Sequence, residues 1–437
     1  MKKINFSKSG IKMIIIFVLI LLFLIPLALI KDLIRDRRNY QQNAVSSIIS
    51  PLGGKTEIQG AVVSVPYKVR SETIDSRGVK HVDTSIKYVL FAPDVCSLDI
   101  RVDPYYLSRG IFKVPVFQGE ISFDISFNGF DCSHYKISEE DMLLDEAVFM
   151  LGFAGPKSLS AQPVVKAGET DLLISPVKYD SISPFATTVC FNMPKIVANE
   201  KVRFTGLLKF QGGEEIKIQP VAGDNDIKMT SSWTSPSFSG GWLPSSRNVG
   251  EDGFQAVWNI AGLSTAFPKS WKSGSEIKGE SFQVSFITPV DTYKKMMRSI
   301  KYALLFLLVP FVSIFICELF SNVRVHPVQY CLVGLADVMF YLLLLSISEH
   351  LTFNVSYFVS AVSVCAATLL YSACIFGRIK WGLLLSGIQM ISYVFLYGTL
   401  QAEDYALLIG SIGLFMVIIL LMFITRKIDW YEINQTA

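Results

Sequence analysis

Motifs that carry chemistry are what this chain of 437 residues has least of. It contains four histidines and seven cysteines. No Cys-x-x-Cys or Cys-x-x-His spacing occurs, which excludes the redox dithiol motif and the short zinc-ligand pattern. G-x-S-x-G, H-E-x-x-H and G-x-G-x-x-G are missing too, and with them the nucleophile elbow, the zincin helix and the dinucleotide fingerprint. Charge is scarce: charged residues make up 18% of the sequence and the net charge is +3. That excess is too small and too evenly spread to point to nucleic acid. The chain is therefore expected to have no catalytic residue, no metal, no cofactor and no nucleic-acid partner, and not to be an enzyme.

What it has instead is hydrophobic runs in a particular order. Hydrophobic residues make up 51% and mean hydropathy is +0.42. Met13 to Ile30 carries no charge between Lys12 and Lys31. These 18 residues make about 27 Å of helix, enough to cross the hydrocarbon core. The run is longer than a signal h-region and has no small-x-small cleavage site, so it reads as an uncleaved anchor over 11–31, after a tail at 1–10. Five more runs crowd the last third, predicting spans near 301–320, 328–347, 354–376, 381–400 and 405–424, a bundle over 298–424 with a tail at 425–437. The fold class expected is an integral membrane α-helical protein with six transmembrane helices and a large β-rich domain, 32–297, inserted between the first two.

Orientation follows from Lys and Arg in the short loops. One set of loops and the tail carries Arg324, Arg378, Lys380, Arg426 and Lys427, whereas the other carries Glu349, Glu403 and Asp404 with no Lys or Arg. Both termini are expected inside, with the large domain and the acidic turns outside.

Alternation marks the large domain. Ile121, Phe123, Ile125 and Phe127 alternate with Ser122, Asp124, Ser126 and Asn128, the period of a half-buried strand. Phe282, Val284 and Phe286 do the same. Val202, Phe204, Leu208 and Phe210 lead into Gln211-Gly212-Gly213-Glu214, after which Ile216 and Ile218 resume the pattern, predicting a hairpin. Asp141 to Phe149 is the short helix expected. The Ser-, Pro- and Gly-rich stretch 158–186 is the place where the domain would divide if it has two lobes. Gly53-Gly54-Lys55-Thr56 ends like a phosphate loop, but that motif needs Gly at position 49, which is Ile. Cys96, Cys132 and Cys190 lie outside, where an oxidising compartment permits one bridge, although buried small hydrophobes is the reading preferred. His81 and His134 share no ligand spacing.

The candidate functional residues form groups. Arg324, His326 and Gln329 cluster at the inner end of the third span, with Pro327 suited to a first helical turn. Glu349 and His350 sit at its outer end, about 33 Å away along a helix, so the two groups cannot form one site. Their readings are a polar turn, a docking point or a proton-transfer pair. Two intramembrane acids stand apart, since a carboxylate in a span is costly. Glu318 closes its span, where Arg324 is the partner in reach. Asp337 lies about 15 Å past Pro327, near the midplane. It is protonated, paired in the bundle or facing water, with Gln329, Gln389 and hydroxyls as available neighbours. Finally, Trp233 to Trp258 is rich in aromatics, Gly and Pro. It reads as core and turns, or as a surface for peptide, glycan or lipid.

His326 to Leu335, Phe340 to Leu345 and Ser348-Glu349-His350 together resemble the CreD family of inner-membrane proteins. So do Leu24-Ile25-Pro26 and Thr425 to Tyr431. In the outer domain Thr230 to Trp233, Ser235 to Phe238, Leu243-Pro244, Arg247 and Gly253 to Trp258 are similar to the same family. The resemblance is dense from about residue 229 onward and a matter of texture in the middle of the domain. At Asp337 the chain departs from it, an apolar residue being implied there. The resemblance implies a Gram-negative inner-membrane protein with a periplasmic domain, tied to envelope integrity, stress response and tolerance to colicins and β-lactams, often under a two-component regulator. It implies no reaction and no cofactor.

Two functions are carried forward. One is a non-enzymatic envelope-integrity factor whose partners are the lipid bilayer and an unidentified envelope protein, lipid or peptidoglycan. The alternative is a transporter-like protein that moves a lipid or an ion, for which Glu318 and Asp337 would be needed.

Overall fold

The computed structural model describes residues 8–74, 80–153, 155–175, 182–185, 187–195, 197, 199–265, 267–274, 279–286, 292–321, 323–402 and 405–426. The chain divides into two compact units, one formed by Met1–Gln41 with Val290–Ala437, the other by Gln42–Pro289.

The first unit is helical: α1 Lys8–Ile49, which crosses into the second unit, α2 Thr292–Lys301, α3 Ala303–Ser321, α4 Pro327–Ser348, α5 Phe353–Phe376, α6 Ile379–Gln401 and α7 Ala406–Thr425. Among the described residues α1, α3, α4, α5 and α6 are long and apolar enough to cross a membrane. The helix α1 does not stop where its apolar run stops. It continues through Asp32 and Arg38 to Ile49, because no Gly or Pro interrupts the chain between Leu27 and Ser50. Its end comes at Pro51 and at Gly53, whose φ of 96° closes a short 3₁₀ turn. Another element that hydropathy does not mark is α2, whose Lys294, Lys295, Arg298 and Lys301 surround a buried edge of Tyr293 and Met296. Close approach of α1, α3 and α4 rests on Gly334. A Cβ there would lie 2.7 Å from both the Phe23 and the Phe311 rings, so only glycine leaves room for them.

The second unit is two β-sheets. Its strands are β1 Thr56–Ile74, β2 Lys80–Phe91, β3 Val95–Arg109, β4 Phe112–Phe127, β5 Val148–Phe153, β6 Val164–Ala167, β7 Thr170–Asp171 and β8 Thr187–Asn192. There follow β9 Val202–Gly213, β10 Glu215–Ile218, β11 Asp224–Ser231, β12 Pro236–Gly240, β13 Ser246–Gly250, β14 Gly253–Ala261, β15 Ser270–Lys272 and β16 Phe282–Phe286. One sheet runs β12-β16-β10-β1-β2-β15, with β5 and then β8 added to β1. The other runs β13-β14-β11-β3-β4-β9-β6-β7. Pairing is antiparallel except at β1 with β10 and β3 with β11. The alternation read at Ile121 to Phe127 is borne out: all four apolar side chains are buried in β4.

The two inner faces interdigitate in one core. Phe149 of β5 stacks on Phe204 of β9 at 4.2 Å, and Trp258 of β14 on Phe282 of β16 at 4.6 Å. Aromatic pairing of this kind adds about 0.5–1.5 kcal/mol per pair beyond burial. Val45, Ile48 and Ile49, at the end of α1, pack with Val114 and Val116 of β4.

Three expectations are corrected. Asp141 to Phe149 is not a helix: Glu139–Asp141 and Leu144–Glu146 are 3₁₀ turns, and β5 begins at Val148. Burial explains the difference, since every residue of β5 is buried on a central strand, and a helix has only one such face. Nor is the Gly212-Gly213-Glu214 turn a hairpin. Gly213 still pairs with Val116 in one sheet, whereas Glu215 pairs with Ser285 in the other. The chain changes sheets at Glu214, whose φ is 64°. Gly213 permits the corner, because a Cβ there would sit 2.4 Å from Ile49. The stretch 158–186 does not divide two lobes: β6 and β7 join the sheet through β9, and one core serves both sheets. Residues 176–181, within that stretch, lie outside the described residues.

Candidate functional site

The helix α4 carries polar groups at three levels. At its N-terminal end His326 is the N-cap: its Nδ1 accepts the Val328 N–H at 3.2 Å, while the Gln329 side chain accepts the His326 N–H at 2.8 Å. This reciprocal capping box accounts for both residues, and Pro327 fills the first turn beside them. Arg324 is exposed. It is not the partner of Glu318. That carboxylate pairs with Lys12 of α1 and also accepts the Tyr330 hydroxyl at 2.8 Å and the Val325 N–H at 3.1 Å. Lys12 also lies over the Tyr330 ring at 5.8 Å. Arg324 was in reach by sequence distance alone, but 306 residues separate the two real partners, and no local pattern encodes that pairing.

The middle level is Asp337. Its Oδ1 accepts from the Gln389 amide and, at 3.3 Å, from the Tyr393 hydroxyl, both on α6. Asp337 Oδ2, Gln389 Oε1 and Tyr341 Oη have no hydrogen-bond partner among the described residues. Tyr357 of α5 closes the neighbouring layer by donating to the Tyr393 carbonyl at 2.7 Å. Gln389 was among the neighbours the sequence offered; Gln329 serves in the cap instead.

At the C-terminal end Glu349 lies 3.3 Å from Arg37 of α1, with the carboxylate mostly covered and His350 exposed. Adjacent groups on different faces do not make a proton-transfer pair: Glu349 has a charge partner of its own. Nearby, Lys295 of α2 donates to Gln401 at 2.8 Å and sits over the Phe353 ring at 5.4 Å. Between α3, α6 and α7 runs a groove of about 400 Å³ lined by Phe306, Ile391, Phe395, Ile412 and other apolar side chains.

In the β-sheet unit the two candidate tryptophans are core residues, which bears out the core reading of that stretch and not the partner-surface one. Trp258 is fully buried, and Trp233 is 8% exposed with its indole N–H donated to the Ser235 carbonyl at 3.1 Å. The exposed aromatic surface is elsewhere, where the sequence reading missed it. At the tip of the β3–β4 hairpin every residue from Tyr105 to Ile111 is exposed, including Tyr105, Tyr106, Leu107 and Ile111, and Tyr106 leans on Trp233 at 5.8 Å. The available signal was three consecutive apolar residues, which break strand alternation, beside Arg109-Gly110. A polar cleft of about 480 Å³ lies near its base, lined by Arg101, Asp103, Ser231, Glu251, Asp252 and neighbours.

The thiols of this unit are buried and unbridged. Burial, with Asp124 nearby, pushes Cys96 up to about 12, and burial with Asp131 nearby pushes Cys132 up to about 11. Neither is a nucleophile at neutral pH. Asp124 itself is held below the usual carboxylate range by its hydrogen bonds to Arg203. Among the described residues no group of three His, Cys, Asp or Glu could hold a metal.

Comparison with solved structures gives M1 zinc metallopeptidase structures from Deinococcus radiodurans at 7% identity and a TM-score of 0.23. These cover 45% and 48% of this chain and 42% and 52% of theirs, so the chain spans about half of each. Likeness at that level carries no argument. Among curated proteins, Inner membrane protein CreD of Escherichia coli (strain K12) is 27% identical over 433 residues, 97% of this chain and 94% of that one. The family described as "Inner membrane protein CreD" matches residues 8–431, which takes in both units and all three levels of α4. The chain is a multi-pass inner-membrane protein and belongs to the CreD family.

Proposed function

We propose that this protein is a non-enzymatic contributor to envelope integrity and stress tolerance, including colicin tolerance. It spans the inner membrane six times with both termini cytoplasmic, α7 being the sixth span, and holds its β-rich domain in the periplasm between the first two spans. Support for the orientation comes from Arg324, Arg378, Lys380, Arg426 and Lys427 on one set of loops against Glu349, Glu403 and Asp404 on the other. In a background without cysteine, Asp404→Cys reacts with an impermeant maleimide in intact spheroplasts and Arg378→Cys does not. Reversed labelling overturns the topology.

The single observation behind the interaction reading is the hairpin tip, Tyr105 to Ile111, an exposed apolar surface on a tightly packed frame. Aromatic and aliphatic side chains left in water on a rigid hairpin fit contact with an envelope protein, a lipid or peptidoglycan better than they fit a solvated turn. Tyr106→Asp with Leu107→Asp abolishes rescue of an envelope-stress phenotype at unchanged membrane abundance, whereas Ser122→Asp, on the exposed side of β4, leaves rescue intact. Full rescue by the tip variant defeats the proposal. The transporter reading draws on one observation of its own, the Asp337 cluster.

A further inference from the structure

Asp337 lies in a helix that crosses the membrane, and among the described residues no cationic side chain pairs with it. The walls around it can be named. Its own helix contributes Val338 and Tyr341, α6 contributes Gln389 and Tyr393, and Leu27 of α1 with Phe306 and Leu307 of α3 closes the remaining side. The titratable groups facing the carboxylate are Tyr341 of α4, Cys365 of α5 and Tyr393 of α6, with Tyr357 of α5 behind Tyr341; α1 and α3 contribute none. None of these is cationic. A bare carboxylate in a low-dielectric interior is costly unless a positive charge accompanies it.

Geometry supplies a place for that charge. Two i, i+4 pairs face each other, Asp337 with Tyr341 and Gln389 with Tyr393. One carboxylate oxygen is occupied by the Gln389 amide and the Tyr393 hydroxyl, which leaves the other oxygen open. Gln389 Oε1 and Tyr341 Oη are open as well, and all three residues are at least nine-tenths buried. Beside Asp337, Tyr341 and Tyr393 lies a small cavity of about 10 Å³, its other walls apolar, about the space of a single water-sized particle. Of the open oxygens, those of Asp337 and Tyr341 belong to residues that line this cavity; one formal negative charge and room for one small particle define a ligand class.

We propose that this cluster binds a single monovalent cation, a sodium ion or a proton, with Asp337 Oδ2 as the anionic ligand and Tyr341 Oη as the neutral one. One carboxylate neutralises one positive charge, so a divalent ion would leave an uncompensated charge in the membrane interior. Binding does not require transport, and the inference stands apart from the periplasmic interaction proposed above.

The test uses the purified full-length protein in detergent. In the sodium arm, radiolabelled Na⁺ binds saturably at one ion per chain, and Asp337→Asn abolishes binding. Tyr341→Phe, which keeps the carboxylate, weakens binding about tenfold, the worth of one lost oxygen contact. In the proton arm no Na⁺ binds, and infrared difference spectra at neutral pH show the carbonyl stretch of a buried carboxylic acid that vanishes in Asp337→Asn. Gln389→Leu shifts that band by removing a hydrogen-bond partner. Size-exclusion profiles establish that each variant is folded, and Tyr341→Phe and Gln389→Leu carry the test if Asp337→Asn is not. Absence of both sodium binding and the acid band in wild type overturns the proposal.

Discussion

Glu318→Gln isolates the ion pair between α1 and α3. In the wild type the carboxylate takes three donors: the Lys12 ammonium, the Tyr330 hydroxyl and the Val325 N–H. An amide keeps an acceptor for the two neutral donors but leaves Lys12 without its counter-charge. Breaking a fully buried pair costs about 3–5 kcal/mol, and an exposed one about 0–1. Here the two side chains are 22% and 13% exposed, which places the loss between those limits, at about 2 kcal/mol. Lys12→Met removes the same pairing from the other side, and the double variant leaves no orphaned charge. A double-mutant cycle on the purified protein, read as unfolding by SDS titration, is therefore expected to give a coupling energy of about 1–2 kcal/mol. If the two single effects simply add, to within about 0.3–0.5 kcal/mol, the pair contributes nothing and the reasoning fails.

Other variants test separate parts of the structure. Gly334→Leu forces a side chain into the space held by Phe23 and Phe311; overpacking of this kind costs about 1–3 kcal/mol, seen as a lower Tm in detergent, while Gly387→Leu, where nothing lies within 4 Å of the added Cβ, is neutral. His326→Ala loses a helix cap and about 1 kcal/mol, and His326→Asn, a good N-cap, recovers it; failure of that rescue would contradict the capping role. Alkaline titration reports on Cys96: its native value near 12 lies above the ordinary 9.0, so the folded state holds the thiol proton more tightly. Its stabilising share is complete below pH 9 and declines as pH rises from 9 toward 12, at up to about 1.4 kcal/mol per pH unit. Cys96→Val removes that slope from the stability–pH curve, and an unchanged slope refutes the assignment.

The membrane helices were legible because an uncharged run of about 18 residues has few alternatives to a span. What the runs left out was everything set by polar residues. The section of α1 from Lys31 to Ile49 is charged and polar, so hydropathy ended the element there, although the lack of Gly and Pro already argued for continuation. In the β-sheet unit, alternation located strands well but could not assign them to sheets: Ile216 and Ile218 alternate equally well across a hairpin or across a corner, and Glu214 decides between the two only through its positive φ. Candidate residues fared by type. The turn chemistry of His326, Pro327 and Gln329 was readable from local rules. Lys12 with Glu318, Arg37 with Glu349 and Gln389 with Asp337 are tertiary pairings, and no spacing rule reaches them. Tryptophan left two readings open, since the same bulk that makes Trp258 a good contact residue makes it a good core residue, and burial selects the core reading.

The helix α1 meets α4 at three heights, and their order fixes more than stability. Lys12 lies over Tyr330, Phe23 fits against Gly334 and Arg37 meets Glu349. Both numberings rise together, so the two helices run parallel. The contacts in α1 span 25 residues, about 37 Å of helix, with no charge between Lys12 and Lys31. A slip of one turn would draw Lys12 or Arg37 past its acidic partner and place Phe23 against a side chain larger than hydrogen. Paired charges near the two ends with a glycine contact between them therefore act as a register device, the use of ionic pairs best supported in helical assemblies. Exchange of the outer pair separates register from simple attraction. Arg37→Glu alone replaces the attraction with a second carboxylate facing Glu349, where like charges repel, and weakens the helical unit. Arg37→Glu with Glu349→Arg restores attraction at the same height and recovers most of the lost stability. Cross-linking between cysteines placed at residues 27 and 338, whose side chains line one small cavity between α1 and α4, reads the register directly: it persists in the double exchange and falls in the single variant. Equal cross-linking in both would mean that apolar packing alone sets the height of α1, with the charges following it.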